Sequence, residues 1–211
     1  SVIYGFTHTN KGHWNLCHIP LLPVTGTPTP GDYCSPFSHE RESAAPGYYQ
    51  VFLDRYGVDA QLSSTLRCAF HKYTYPAGAA ASLLADLQRS NEHVRAWDIR
   101  KEGDNVFAGW QQTGEKMYFY AVANRPVTGI EPVVEGDREV RIVRFGEGDG
   151  ALELRIGFSF VSEKNARENL EAEMLGKSFA EVRSEATATW NDLLGRIRVE
   201  GGTEREKGLF Y

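Results

Sequence analysis

The sequence predicts a mainly β fold, a large antiparallel β-sandwich followed by a short α-helical linker. From residue 47 to residue 161, short runs of alternating apolar and polar residues recur between turn-forming residues such as Gly103-Asp104-Asn105. After residue 161 the apolar spacing changes to that of an amphipathic helix. We therefore expect a β-sandwich domain at 1–161 and a helical linker at 162–211.

The strands are predicted from the alternating runs, in which every second residue faces the interior. They are expected at Tyr48–Asp54, Val58–Ser64, 66–76, Ser82–Leu87, Val94–Arg100, Val106–Gln111, Met117–Ala123, Arg138–Phe145 and Ala151–Val161. The stretch 79–88 is ambiguous, because its alanines favour a helix whereas its length and its neighbours favour a buried strand. Five prolines between residues 19 and 36 allow only an extended excursion with a short edge strand.

The helical part is predicted from its capping residues. Ser162 is expected to cap a first helix, and Ser178 forms a capping box with Glu181 at the start of a second. The apolar face of the second helix consists of Val182, Ala186, Trp190 and Leu194. We expect this face to pack either on the sandwich or on a part of the protein outside this chain, and in the second case it would be exposed here as an apolar patch.

After that helix, a short strand is expected at 197–199 and a further capping box at 203–206. The last predicted helix is cut by the end of the chain, and the first residues already resemble a strand. We therefore expect that this chain is a piece of a longer protein that lacks its N-terminal strand or strands.

Composition excludes several classes of partner. The 211 residues carry a net charge of −5 and contain 41% hydrophobic residues. No block of Lys and Arg is present, which argues against nucleic acid or an anionic membrane surface as partner. No apolar run reaches the roughly 20 residues that span a bilayer. Three widely spaced cysteines do not indicate a disulfide framework.

Catalytic signatures are lacking in the sequence. It contains no nucleophile elbow, phosphate-binding loop or metalloprotease helix. Asp54, Asp59 and Asp86 lie at the ends or on the exposed faces of predicted strands, where we expect solvated charges. The residues alone predict no catalytic pair.

The stretch from Tyr4 to Pro20 is rich in histidine and asparagine and contains a tryptophan. A flat aromatic face beside neutral donors and acceptors suits a sugar, which has apolar C–H faces and hydroxyl edges. The candidate ligand-binding residues are His8, His13, Trp14 and Asn15. The alternative is a strand edge and turn whose polar side chains satisfy buried backbone groups.

A metal site in this stretch is not predicted. The set His8, His13, Cys17 and His18 offers soft ligands, but its spacing matches no zinc site.

Several segments together resemble the N-terminal domain of the glycoside hydrolase family 92 α-mannosidases. The most specific are in the last third of the chain: residues 157–166, Asn169-Leu-Glu-Ala-Glu173, Trp190-Asn191 and residues 199–203. The resemblance covers nearly the whole chain, including Gly5-Phe-Thr-His-Thr9, the stretch from Tyr48 to Pro76 and Met117-Tyr-Phe-Tyr120. It implies a large sandwich of the galactose-mutarotase type, joined by a helical linker to an (α/α)6 catalytic barrel.

The resemblance also implies an activity for the complete protein. Family members are calcium-dependent, exo-acting α-mannosidases that invert the anomeric centre, and their acid, base and calcium ligands lie in the barrel, outside this chain. By the same resemblance, no catalytic residue is expected here, and the segment 6–18 contributes a loop to the pocket for mannose-containing glycans. The segment 10–15 departs from the usual family pattern, which leaves the linkage preference open.

Two classes of function follow. The first is the non-catalytic half of a hydrolase pocket, paired with the barrel and located outside the cytoplasm, by analogy with the family. The second is a stand-alone glycan-binding or structural sandwich. A barrel encoded beyond the end of this chain would decide for the first.

Overall fold

The computed structural model describes residues 1–9 and 18–210, and within these the chain forms fourteen strands and three α-helices. The strands are β1 (Val2–Ile3), β2 (Leu21–Val24), β3 (Ser35–Pro36), β4 (Glu42–Ala45), β5 (Tyr48–Leu53), β6 (Val58–Ser64), β7 (Cys68–Thr74), β8 (Ser82–Ala85), β9 (Ala96–Gly103), β10 (Val106–Gln112), β11 (Lys116–Ala123), β12 (Val127–Glu135), β13 (Arg138–Phe145) and β14 (Leu152–Ser159). The helices are α1 (Glu163–Glu173), α2 (Phe179–Leu194) and α3 (Glu204–Phe210).

The strands form two large antiparallel sheets that face each other. One has eight strands in the order β4-β5-β6-β7-β14-β11-β10-β9, and the other has four in the order β12-β13-β8-β2. A two-stranded piece pairs β1 with β3. The antiparallel sandwich and the concentration of helix after Ser162 are as predicted, and the ambiguous stretch 79–88 contains the fully buried strand β8.

The main core lies between the two sheets and is built by alternate residues of each strand. In β11, Met117, Phe119, Ala121 and Ala123 are buried while their neighbours are half-buried. Phe107 contacts Phe119 and Phe145 edge-to-face, with ring centroids 6.2 and 6.3 Å away. Such aromatic pairs add stability beyond the area they bury.

A second, smaller core lies on the outer face of the large sheet, under α1 and α2. It joins Phe70 of β7 to Leu170, Phe179 and Val182 of the helices. The central strands of the large sheet are therefore buried on both faces.

The helix caps follow the sequence prediction. The Ser162 hydroxyl accepts a hydrogen bond from the Asn165 amide, and Ser178 forms a reciprocal capping box with Glu181. At α3, the Thr203 hydroxyl accepts from the Glu206 amide at 3.2 Å, and the Glu206 carboxylate accepts from the Thr203 amide at 2.7 Å.

Two predictions about the elements need correction. The strand predicted at 197–199 is not formed, and these residues have irregular backbone between the turn that ends α2 and the start of α3. Strand β12 was not predicted, since Gly129 and Pro132 weaken its strand signal. It lies at the edge of its sheet, where a proline costs no ladder hydrogen bond.

The expectation of solvated aspartates is wrong for Asp86, which is completely buried at the end of β8. Its carboxylate accepts hydrogen bonds from the Tyr33 hydroxyl at 2.6 Å and from Arg138 at 2.7 Å. A buried carboxylate persists when it is paired in this way, and the pair ties the proline-rich excursion to both β8 and β13.

The apolar face of α2 divides between the two expected outcomes. Val182 is buried and Ala186 is half-buried, whereas 45% of the surface of Trp190 is exposed. The first half of α2 therefore packs on the sheet, and Trp190 lies beyond that contact.

Helix α1 approaches β14 so closely that Gly157 is required there. A Cβ atom at residue 157 would lie 2.1 Å from the Ala166 carbonyl oxygen and 2.9 Å from the Leu170 Cβ. A backbone oxygen cannot move aside without displacing the helix, so any side chain would push α1 away from the sheet.

We expect Gly157→Ala to lower the free energy of unfolding by about 1–3 kcal/mol, the usual cost of overpacking a closed site. Urea unfolding of this chain measures it. The matched control is Gly129→Ala in β12, where the added Cβ meets no atom within 4 Å and the change should stay within about 0.5 kcal/mol. Equal effects of the two substitutions would contradict the close-approach explanation.

Candidate functional site

A cleft of about 900 Å³ opens beside the second core, and Tyr48 and Cys68 belong to both. Its walls come from the N-terminal segment, the β6–β7 turn, the end of β14 and the helices α1 and α2. The aromatic lining residues are Phe6, Tyr48, Tyr49, Phe158, Phe160 and Trp190. The neutral polar ones are Thr7, His8, Thr9, Ser63, Ser64, Thr65, His71, Ser159, Asn165 and Asn169.

Arg67 carries the one permanent charge among the described lining residues, and this charge is neutralised. Its Nε donates to Glu173 Oε1 at 2.5 Å, and the Thr65 hydroxyl donates to Glu173 Oε2 at 2.5 Å. Burial opposes the charge of Glu173, but the hydrogen bonds from Thr65 and Arg67 outweigh it and lower the pKa of the carboxyl. The cleft thus presents aromatic faces with uncharged donors and acceptors, which suit a neutral polyhydroxylated ligand.

The N-terminal wall of the cleft is a short antiparallel pairing of the segments 6–9 and 18–21. The Phe6 amide donates to the Leu21 carbonyl at 2.8 Å, and the His8 amide donates to the His18 carbonyl at 3.1 Å. Side chains reinforce the pairing, since His18 lies 2.6 Å from the Thr9 hydroxyl and 3.2 Å from the Thr113 hydroxyl.

Of the four candidate ligand-binding residues, the structure places His8 in the lining of the cleft. His13, Trp14 and Asn15 lie outside the described residues, so their roles stay predictions. The His8 ring lies between two aromatic partners, with centroids 4.5 Å from Phe158 and 5.0 Å from His71.

A chain of three hydrogen bonds runs from Tyr73 through His71 and His8 to the backbone of Ile19. The Tyr73 hydroxyl lies 2.6 Å from His71 Nδ1, and His71 Nε2 lies 3.2 Å from His8 Nε2. His8 Nδ1 in turn lies 2.8 Å from the carbonyl oxygen of Ile19.

The carbonyl at one end fixes the direction of every proton in this chain, because it can only accept. His8 must therefore carry its proton on Nδ1, which leaves Nε2 as an acceptor. His71 must then donate from Nε2 and accept at Nδ1, where the Tyr73 hydroxyl donates. Each of the two imidazoles is neutral and each is held as one defined tautomer.

Burial keeps both rings neutral. Desolvation lowers the pKa of His8 to about 4, against which the hydrogen bonds to the backbone of Ile19 and His18 act only weakly. Desolvation lowers the pKa of His71 well below its usual value, and the neighbouring His8 adds to the effect. Burial likewise raises the pKa of Tyr73, which keeps its hydroxyl protonated as the donor.

Sequence reasoning missed His71 and the asparagines of α1. The alternation in β7 assigned His71 to the exposed face, but this central strand is buried on both faces. Asn165 and Asn169 are four residues apart on α1 and turn toward the cleft, a spacing that could have indicated a shared polar face.

Comparison with known proteins identifies the family of the chain. Residues 1–171 match the model of the glycosyl hydrolase family 92 N-terminal domain. The chain belongs to glycosyl hydrolase family 92. Residues 165–211 match the model of the family 92 catalytic domain, so the two models overlap on α1.

Solved structures of family 92 proteins share this fold. A family GH92 α-mannosidase from Bacteroides thetaiotaomicron superposes with a TM-score of 0.86 at 24% identity, over 95% of this chain and 32% of its own length. A family 92 glycosyl hydrolase called ccman5 gives a TM-score of 0.82 at 26% identity, over 96% and 32% of the two chains. The family GH92 inverting mannosidase BT2199 from Bacteroides thetaiotaomicron VPI-5482 gives 0.76 at 23% identity, over 88% and 27%.

A protein of Arthroderma benhamiae named as an uncharacterized secreted glycosidase is 23% identical over 96% of this chain and 33% of its own length. The chain thus spans about a third of the length of the relatives that it matches.

Neither a metal site nor a membrane span is found in the part of the chain that the structure describes. No group of three or more His, Cys, Asp or Glu side chains within residues 1–9 and 18–210 could hold a metal ion. In the same residues, no helix is long and apolar enough to cross a bilayer.

The neutral histidine pair predicts a pH dependence of stability. The folded pKa of His8 is about 4 and the unfolded value is near 6.5, so the unfolded state binds more protons between these pH values. The free energy of unfolding should therefore fall as the pH falls from 6.5 toward 4. His71, which is buried, and His8, which is half-buried, should each contribute at most about 1.4 kcal/mol per pH unit to this fall.

Urea unfolding of the wild-type chain and of His71→Phe at several pH values between 4.5 and 7.5 measures this slope. The variant lacks one of the two titrating groups, so its stability should change less steeply in this window. Identical slopes would show that His71 does not resist protonation in the folded state.

Proposed function

We propose that this chain is the sandwich half, with the first helices, of a calcium-dependent, exo-acting α-mannosidase that inverts the anomeric centre. In this proposal the acid, the base and the calcium ligands belong to the remainder of the catalytic domain. The cleft contributes one side of the pocket for mannose-containing glycans. The α-mannosidase and inverting mannosidase named among the solved relatives support the substrate class and the stereochemistry.

The observation that carries the proposal is the position of α1. The family model of the N-terminal domain ends at residue 171 and that of the catalytic domain begins at 165, and both limits fall within this helix. Asn165 and Asn169 of α1 line the cleft, which supports a position of the cleft between the two domains in this proposal.

The chemistry of inversion explains why half a pocket is insufficient. One carboxyl protonates the leaving oxygen, while a second carboxylate activates water on the opposite face, roughly 6.5–9.5 Å away. The described lining of the cleft contains neither Asp nor Glu. What the lining offers instead is binding: aromatic rings for the C–H faces of a sugar, and hydroxyl and amide groups for its hydroxyls.

The secreted relative supports a location outside the cytoplasm, where mannose-containing glycans of other organisms are met. His13, Trp14 and Asn15 complete the proposed sugar-binding set together with His8.

Hydrolysis of α-mannobiose by the full-length protein tests the proposal. We expect mannose to be released, release to stop on removal of calcium by a chelator, and the first product seen by NMR to be the β-anomer. The 211-residue chain alone is the control and should release no mannose, because it supplies no acid and base pair to the cleft. Turnover by the chain alone, abolished by a substitution within it, would place catalysis in the sandwich and refute this division of labour.

The rim of the cleft predicts where the rest of the catalytic domain packs. Four apolar side chains are exposed around its mouth, namely Leu66, Phe160, Val161 and Trp190, and Leu66 at the tip of the β6–β7 turn is 92% exposed. A cluster of exposed apolar residues of this kind marks an interaction surface.

We expect Leu66→Asp to leave the unfolding free energy of the 211-residue chain within about 0.5 kcal/mol, since the residue is solvated there. In the full-length protein the same substitution should cost about 1–3 kcal/mol, because it buries a charge in the interface. The matched control is Val134→Asp on the edge strand β12, which is 64% exposed and should be tolerated in both proteins. Thermal unfolding of the wild type and the two variants, each as the 211-residue chain and as the full-length protein, measures these effects. Equal tolerance of Leu66→Asp in the short and the full-length protein would show that the rim stays uncovered.

A further inference from the structure

A strained residue lies behind the lining of the cleft, in hydrogen-bond contact with His8. Ile19 has a φ of 51° and is the one residue other than glycine with a positive φ in the part of the chain described. The left-handed region is unfavourable for a β-branched side chain, and such strain persists only where the surroundings over-determine the backbone. Ile19 is fully buried beside the pairing of segments 6–9 and 18–21.

Side chains hold both polar groups of the Ile19 backbone. Its amide donates to Gln111 Oε1 at 2.6 Å, and its carbonyl accepts from His8 Nδ1 at 2.8 Å. The orientation of the Gln111 amide is fixed as well, since its nitrogen donates to the carbonyls of Leu87 and Arg89 at 3.0 and 3.1 Å. The backbone amide of Ile19 is thus held by a glutamine side chain and its carbonyl by a histidine side chain.

The hydrogen bond from His8 to Ile19 forms only in one tautomer of His8, which the Ile19 carbonyl selects and which the more distant Tyr73 hydroxyl supports through His71. If His71 carried its proton on Nδ1, its Nε2 lone pair would face His8 Nε2, and His8 would have to move its own proton there. The bare Nδ1 of His8 would then face the Ile19 carbonyl, placing two acceptors against each other. The Tyr73 hydroxyl opposes this arrangement, because a phenol is a better donor than acceptor and its hydrogen bond to His71 Nδ1 favours the proton on Nε2.

We infer that His71 and Tyr73 are positioning residues of the cleft: by fixing the tautomer of His8 they hold Ile19 in its left-handed conformation and so set the wall formed by Thr7, His8 and Thr9. Tyr73 is fully buried and does not line the cleft, so its influence on a ligand passes through the two histidines. The kinetic part of the inference rests on the proposed α-mannosidase function, whereas the structural part does not.

Substitutions in the full-length protein test the inference. Tyr73→Phe removes the donor that fixes the tautomer and keeps the ring that packs on Phe6. His71→Phe breaks the chain of hydrogen bonds, and His71→Gln keeps a donor toward His8. The matched control is Tyr75→Phe, which removes a similar hydroxyl that donates to the Ser82 carbonyl, two residues further along the chain.

The structural readout is the δ1 methyl signal of Ile19 in a methyl-labelled full-length protein, identified with Ile19→Val. We expect Tyr73→Phe and His71→Phe to shift this signal, and His71→Gln and Tyr75→Phe to leave it near its wild-type position. The kinetic readout is the hydrolysis of α-mannobiose. The loss of one neutral hydrogen bond from a binding wall should raise KM about fivefold in Tyr73→Phe and leave kcat within about twofold.

The outcomes separate the inference from the proposed function. A full-length wild-type protein that hydrolyses no α-mannoside refutes the function, and the methyl signal then decides the positioning role alone. An Ile19 signal that does not move in Tyr73→Phe overturns the inference even if His71→Phe fails to fold. In an active enzyme, a shifted signal with KM unchanged, or a KM that rises equally in Tyr75→Phe, refutes the influence on the cleft.

Discussion

The whole arrangement depends on the insertion of β14 between β7 and β11. This strand hydrogen-bonds to both neighbours along most of its length and thereby joins β4–β7 and β9–β11 into one eight-stranded sheet. Its partner strands lie far away in sequence, so forming these pairs costs conformational entropy of loop closure, which the burial of side chains offsets. The burial is extensive because Leu152, Leu154 and Ile156 enter the main core, while Gly157 admits helix α1 on the other face.

The same strand also builds the cleft. Its last residues place Phe158 against His8, and the chain then passes Phe160 and Val161 at the rim before Ser162 caps α1. A single strand therefore fixes the sheet, one part of the cleft lining and the starting point of α1, the helix on which the two family models overlap. Because sheet and cleft share this element, the site is held on a rigid scaffold, as a preorganised binding site requires.

The sequence predicted the parts of the fold that rest on local patterns. Alternation gave most strands of the large sheet, and Ser178 with Glu181 marked the start of α2. It failed where distant contacts decide. The burial of Asp86 depends on Arg138 and Tyr33, which no local pattern connects to it. The strand β12 was missed for a different reason, since it contains residues unfavourable to strands and nevertheless pairs with the adjacent strand β13 across the turn at residues 136–137.

In the candidate site, too, some features were visible in the sequence and others were not. The polar, aromatic composition of the stretch from Tyr4 to Pro20 was visible in the sequence, and Phe6, Thr7, His8 and Thr9 of this stretch line the cleft. The role of His71 was not visible, because alternation assigns a residue to a face but does not report that both faces of a central strand are covered. The strain at Ile19 was equally hidden, since a left-handed conformation at a β-branched residue contradicts its local preference and is imposed by Gln111 and His8 from elsewhere in the fold.

The polarity of the cleft and its neutrality have one physical origin. Two imidazoles side by side would repel each other if both were protonated, and each ring would lose its hydration in this position. The structure avoids both costs by giving every ring nitrogen a partner that fits the neutral form, with a carbonyl at one end and a phenol at the other.

A neutral wall is also what a sugar requires, since a fixed charge would demand a counter-ion or water in the space that the ligand occupies. The pairing of Arg67 with Glu173 likewise neutralises the charge of Arg67 in the cleft lining. Charge in such a pocket can then be reserved for the carboxyl groups that perform the chemistry, and in the proposed enzyme these approach from the catalytic domain that begins on α1.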